Sequence, residues 1–122
     1  MNRAESLTRE LKLLSTGTPD LQAAAVVDND GLIIASALPE DLNEDQIAAM
    51  SASLHRLSER CLRELSGGSL SVVMIQGSEG SAILAPCNDD AVLTVLAPPR
   101  AKLGLIFLDI ERAAAKFGRL LG

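Results

Sequence analysis

The chain contains one histidine, His55, and a side chain that titrates near neutrality is the natural first candidate for acid–base or metal chemistry. It stands between Leu54 and Arg56 with no second histidine to share a metal and no triad partner in view. Cys61 and Cys87 do not complete a zinc site with it, because structural zinc takes about four ligands at defined spacing. Two cysteines this far apart read as small buried hydrophobes, although the sequence leaves a bond between them open. The triplet Asp28-Asn29-Asp30 before Gly31 invites a calcium reading. An EF-hand loop spreads its ligands over about 12 residues with glycine at the sixth, and placing Gly31 there puts Val26 at the first ligand position. The cluster is therefore turn chemistry. The other carboxylate groups, Glu40 to Asp45 and Asp89-Asp90, fall in expected turns and caps. Gly77 and Gly80 bracket a hairpin, and no G-x-x-x-x-G-K-[ST] phosphate cradle occurs. The expectation is no catalytic residue, no metal, no cofactor and no enzymatic activity.

Composition narrows the partners. Of 122 residues 48% are hydrophobic, yet there is no Trp or Tyr and only Phe107 and Phe117 are aromatic, so the core must be aliphatic. A net charge of -5 repels phosphate backbones, and the missing aromatics remove the usual stacking platforms. Nucleic acid and anionic membrane surfaces are thus poor partners. No apolar run approaches the ~20 residues that span a bilayer. The start, MNRAESLTRE, lacks the apolar centre of a signal peptide, so a cytoplasmic location and a single domain over residues 1–122 are expected.

The positioning elements follow from periodicity. Residues 2–16 read as an amphipathic helix with Leu7, Leu11 and Leu14 at helical spacing, ended by Gly17 and Pro19. Strands are expected at 21–27 and 32–37, around the Asp28–Gly31 turn. Asn43 is the clearest helix cap in the chain, with Gln46 placed for a capping box and Glu44 and Asp45 suited to the positive end of the dipole. That second helix runs to about Ser66, where Gly67-Gly68 can supply a left-handed termination. Strands at 70–76, 81–85 and 91–97 follow with connections too short for parallel crossovers, so they must be antiparallel. A helix over 103–121 closes the chain, with Leu103, Ile106, Phe107, Ile110, Ala114, Phe117 and Leu121 on one face. Residues 105–108 alone would also suit a strand. The order is α-β-β-α-β-β-β-α.

The second helix carries more apolar surface than one sheet contact requires. On a ~100° wheel Ile47, Met50, Leu54, Leu57, Cys61 and Leu65 form a stripe expected to face the sheet. Beside it Ala48, Ser51, His55, Ser58 and Leu62 form a strip of mostly small residues that invites close approach by another helix. The strand at 70–76, containing Ser71, Val73 and Ile75, has neither charge nor proline to guard a sheet edge. Self-pairing of this strand about a two-fold axis would cover it and join the second helices. The expected dimer interface is Ala48, Ser51, Leu54, His55, Ser58, Leu62, Ser71, Val73 and Ile75.

Taken together the hairpin AAAVVDNDGLIIAS, the capped helix NEDQIAAMSASLHRLSERC, the hairpins SVVMIQGSEGSAILAPCNDDAVLTVLA and the stretch KLGLIF resemble the roadblock family, the dynein light chain roadblock type domain, over about residues 5–118. Lys102 stands where that family commonly has Asn. The resemblance implies a fold of α/β (α+β) type, a five-stranded antiparallel sheet sandwiched by helices in profilin-like fashion. It also implies a homodimer through the second helix and third strand, and a non-enzymatic, prokaryotic-type partner of a small Ras-like GTPase. The basic residues Arg56, Arg60 and Arg63 on that helix are the candidate GTPase-binding residues. The alternatives are a structural adaptor in a kinase or motor signalling complex and, behind it, a small-molecule sensor domain, which would need a pocket with convergent polar groups.

Overall fold

A computed structural model describes residues 2–18, 21–99 and 103–122, so Pro19 and Lys102 lie outside the described residues. The elements are α1 (Arg3–Gly17), β1 (Ala23–Asp28), β2 (Ile33–Ala37), α2 (Glu44–Leu65), β3 (Val73–Gln76), β4 (Ser81–Asn88), β5 (Ala91–Ala97) and α3 (Leu103–Leu121). The five strands form one antiparallel sheet in the order β2-β1-β5-β4-β3. Helices cover both faces, as expected: α1 and α3 on one, α2 on the other.

Each helix begins or ends for a local reason. The Asn2 side chain accepts from the Glu5 amide at 2.8 Å, and Asn43 accepts from Gln46 at 3.0 Å, so both occupy an otherwise orphaned first-turn donor. At the end of α2 the left-handed residue is Ser66 (φ 53°) rather than Gly67. Gly67 instead donates to the Leu62 carbonyl at 2.8 Å, and a Cβ there would sit 2.6 Å from the Leu62 side chain. Gly68 then takes φ 79°. Residues 105–108 are helical, and their ambiguity in sequence comes from Leu105 and Leu108 pointing to solvent beside buried Ile106.

The larger core lies between the sheet and the α1/α3 layer. Leu7 and Leu11 of α1 and Ile106, Ile110, Ala114 and Phe117 of α3 pack on Ala24, Val26, Ile83, Leu93 and Val95. Phe107, Leu14 and Leu121 border it, half-buried. The two helices are tied at their edges, where Lys116 pairs with Glu10 at 3.0 Å and the Thr18 hydroxyl donates to Asp109 at 3.1 Å.

The first two strands are each one residue shorter than expected, and β3 and β4 depart most from expectation. β3 begins only at Val73, because the register Val73↔Leu84 would place Ser71 opposite Pro86, which has no N–H to offer a ladder. β4 runs on to Asn88 through an irregularity between Pro86 and Asn88 that bends its end toward α3. There Gly118 meets the Cys87 carbonyl so closely that a Cβ would lie 2.0 Å from its oxygen. Gly118→Ala should therefore push α3 off the end of β4 and destabilise the fold by about 1–3 kcal/mol, although alanine is the better helix former. Urea unfolding followed by circular dichroism checks this, and an unchanged midpoint would contradict the close approach.

Candidate functional site

The orientation of α2 is the reverse of the expected one. Ala48, Ser51, Ala52 and His55 are buried against the sheet, while Met50, Leu57 and Leu65 are 51%, 57% and 77% exposed. Cys61 is exposed as well, and Ile47 and Leu54 lie half-buried on one flank. The reason is distance: small side chains let the helix axis approach the sheet, which the larger ones would prevent. Under the helix the Thr94 hydroxyl donates to the Ser51 hydroxyl at 2.8 Å, so this buried polar pair is satisfied. The apolar core here is small, built on Ala25, Val27, Ala48, Leu84 and Val92.

Of the residues expected at a dimer interface, Ala48, Ser51 and His55 are thus occupied inside the chain. Ser58 and Leu62 are half-buried on the flank of α2, and Ser71 is exposed before β3. Leu54 and Val73 both pack against the small core under α2, Leu54 from the helix and Val73 from β3. Ile75 alternates with Val73 on the same face of β3 and is 44% exposed. The outward stripe of α2 therefore runs through Leu54 toward the outer edge of β3.

The two sheet edges are treated differently. β2 has a bulge in its pairing with β1, and the Ser36 hydroxyl donates to Glu44 of α2 beside it. The bulge discourages strand addition. β3 pairs only with β4 and has no bulge, charge or proline in VMIQ.

The other flank of α2 is polar and joined to the hairpin turns. Arg56 donates through Nη1 to the Asn29 carbonyl at 2.7 Å, and Asn29 donates through Nδ2 to the Asp89 carbonyl at 2.7 Å. The Asn29 amide donates to the Asp90 carbonyl at 3.1 Å. Asp28 accepts from the amides of Asp30 and Leu32, and Asn88 accepts from Asp90, so these polar side chains hold turns. Arg56 is accordingly a clamp between α2 and two turns, which its sequence neighbours did not disclose. Arg60 and Arg63 are exposed and form no ion pair among the described residues.

Among the described residues no group of three or more His, Cys, Asp or Glu side chains is placed to hold a metal ion. No described helix is long and apolar enough to cross a membrane. Both cysteines are free thiols. Burial pushes the Cys87 thiol up to about 12, which keeps it protonated and unreactive, whereas Cys61 lies on the open stripe of α2. At mildly alkaline pH iodoacetamide should alkylate Cys87 of the folded protein far more slowly than the same thiol after unfolding in urea. Peptide mass spectrometry reads this, and equal rates in the two states would contradict the burial of Cys87.

The model of the Roadblock/LC7 domain matches residues 7–97. Uncharacterized protein MJ1340 of Methanocaldococcus jannaschii is 33% identical over 99 residues, which cover 81% of this chain and 86% of that protein. Among solved structures, MglB with tetrameric arrangement superposes with a TM-score of 0.89 at 20% identity, covering 98% of this chain and 90% of that one. Gliding protein-mglB from Thermus thermophilus gives 0.88 at 18% identity, covering 98% and 91%. Acanthamoeba castellanii profilin II gives 0.66 at 15% identity, covering 95% and 99%, so the profilin-like comparison holds at the level of fold. With the family match running from α1 through all five strands to the end of β5, this chain belongs to the Roadblock/LC7 domain family.

Proposed function

We propose that this chain is a non-enzymatic, homodimeric regulator or scaffold that binds a small Ras-like GTPase. The observation that carries the reading is the apolar outer face of α2 running into the unguarded edge of β3. The GTPase partner rests on the family resemblance together with the likeness in fold to MglB proteins. The proposed interface comprises Met50, Leu54, Leu57 and Leu65 with Val73 and Ile75, in place of buried Ala48, Ser51 and His55. In a two-fold pairing of α2 with its copy, the middle of the stripe near Leu57 meets itself.

Light scattering coupled to gel filtration at micromolar concentration should give about twice 12.8 kDa. Leu57→Glu and Ile75→Lys, both at exposed positions, should each yield a folded monomer, because like charges would oppose one another across the interface. A wild-type monomer at high concentration, or a dimer indifferent to both changes, would remove the interface.

GTPase docking is assigned to the polar flank of α2. Arg60 and Arg63 are the residues to reverse, since reversing Arg56 would also open its clamp on Asn29. Arg60→Glu with Arg63→Glu should slow association and reduce its salt dependence while the dimer persists. Surface plasmon resonance against GTP- and GDP-loaded GTPase measures both, and binding should depend on nucleotide because switch loops order around the γ-phosphate. Unchanged on-rates in both states would move docking to the hairpin turns at Ser78-Glu79 and Asn88-Asp89.

A further inference from the structure

A cleft of about 510 Å³ opens between the C-terminal half of α2, residues 68–70 and the bulged end of β4. It exists because β3 stops short at Val73, which leaves β4 without an outer neighbour beyond Leu84. The assembly surface described above does not include it, and its walls differ in chemistry. Leu70, Pro86 and Cys87 form an uncharged side. The Cys87 thiol, pushed up to about 12, adds no charge there. Glu59 of α2 and Asp89 of the β4–β5 turn also line it, and neither pairs with a lysine or arginine among the described residues. His55 lines it too, only 3% exposed, with Nε2 3.5 Å from Glu59 Oε1 and with Nδ1 lacking any hydrogen-bond partner.

We propose that this cleft is a socket for one arginine or lysine side chain of a protein partner. A long basic side chain has an apolar stem and a charged head, and the cleft offers an uncharged wall for the first and two carboxylates for the second. The helix end favours the same sign, because the last turn of α2 carries the negative pole of the helix dipole. Arg63 also lines the cleft, but it is exposed and free to turn into solvent, and an anionic occupant would face both Glu59 and Asp89 with this one cation. Arg56 is already engaged with the Asn29 carbonyl and does not neutralise the pair. The proposal rests on the regulator or scaffold reading only in that the owner of the basic side chain is a protein.

The test uses the isolated protein and a small probe, so it does not depend on finding that partner or on the dimer. N-acetyl-arginine methylamide is titrated to tens of millimolar into the ¹⁵N-labelled chain, with the glutamate derivative as the opposite-charge control. The arginine probe should shift amides at Glu59, at residues 68–70 and at Cys87–Asp89, and the glutamate probe should not. Glu59→Gln with Asp89→Asn, at two exposed positions, should weaken the arginine response about fivefold without lowering the melting temperature. Silence toward the arginine probe, an equal or stronger response to glutamate, or an unweakened response in the double variant would each overturn the socket. Loss of GTPase binding with the arginine response intact would instead count against the regulator reading alone.

Discussion

The organising constraint is the closeness with which α2 lies on the sheet. Ala48, Ser51 and Ala52 are small enough to set that distance. Once the small face is turned inward, helical geometry dictates that Met50, Leu57 and Leu65 face out. The arginine flank then falls beside the hairpin turns, where Arg56 finds the Asn29 carbonyl. One packing choice thus separates an apolar flank next to β3 from a polar flank next to the turns.

The same choice leaves the two faces of the sheet unequally filled. The α1/α3 side has leucines, isoleucines and Phe117 in a broad core, whereas the α2 side has two alanines, two valines and a leucine with a hydroxyl pair among them. Transfer free energy scales with buried apolar area, so the α2 layer contributes less per residue ordered. Covering the outer face of α2 would add the apolar burial that its inner face lacks.

Element order, the Asn43 cap and the antiparallel strands were legible because they rest on local rules that tertiary packing seldom overrides. Asn43 caps α2 as its type and position demand, and the Asp28–Gly31 cluster turns as such residues do. The strand ends were less legible, since the late start of β3 depends on Pro86 in another strand. The facing of α2 was not legible at all from its period. A wheel shows that Leu57 and Ser51 lie on different sides, and the wider apolar stripe is normally the buried one. Gly31 gave no hint of it, because its φ of 83° is what the β1–β2 turn itself requires. Arg56 and Asp89 were out of reach because their roles pass through Asn29, 27 and 60 residues from them.

The unequal treatment of the two sheet edges has a consequence for how large an assembly can grow. A sheet open at both ends offers each copy a donor side and an acceptor side, and addition can then repeat without limit, as in fibres. Here β2 is bulged, while β3 is plain. A chain with one adhesive end can be joined once by strand addition, after which the growing point is consumed. Pairing at β3 would be self-terminating, so an apolar strand that would threaten solubility in a symmetric sheet is compatible with a discrete particle.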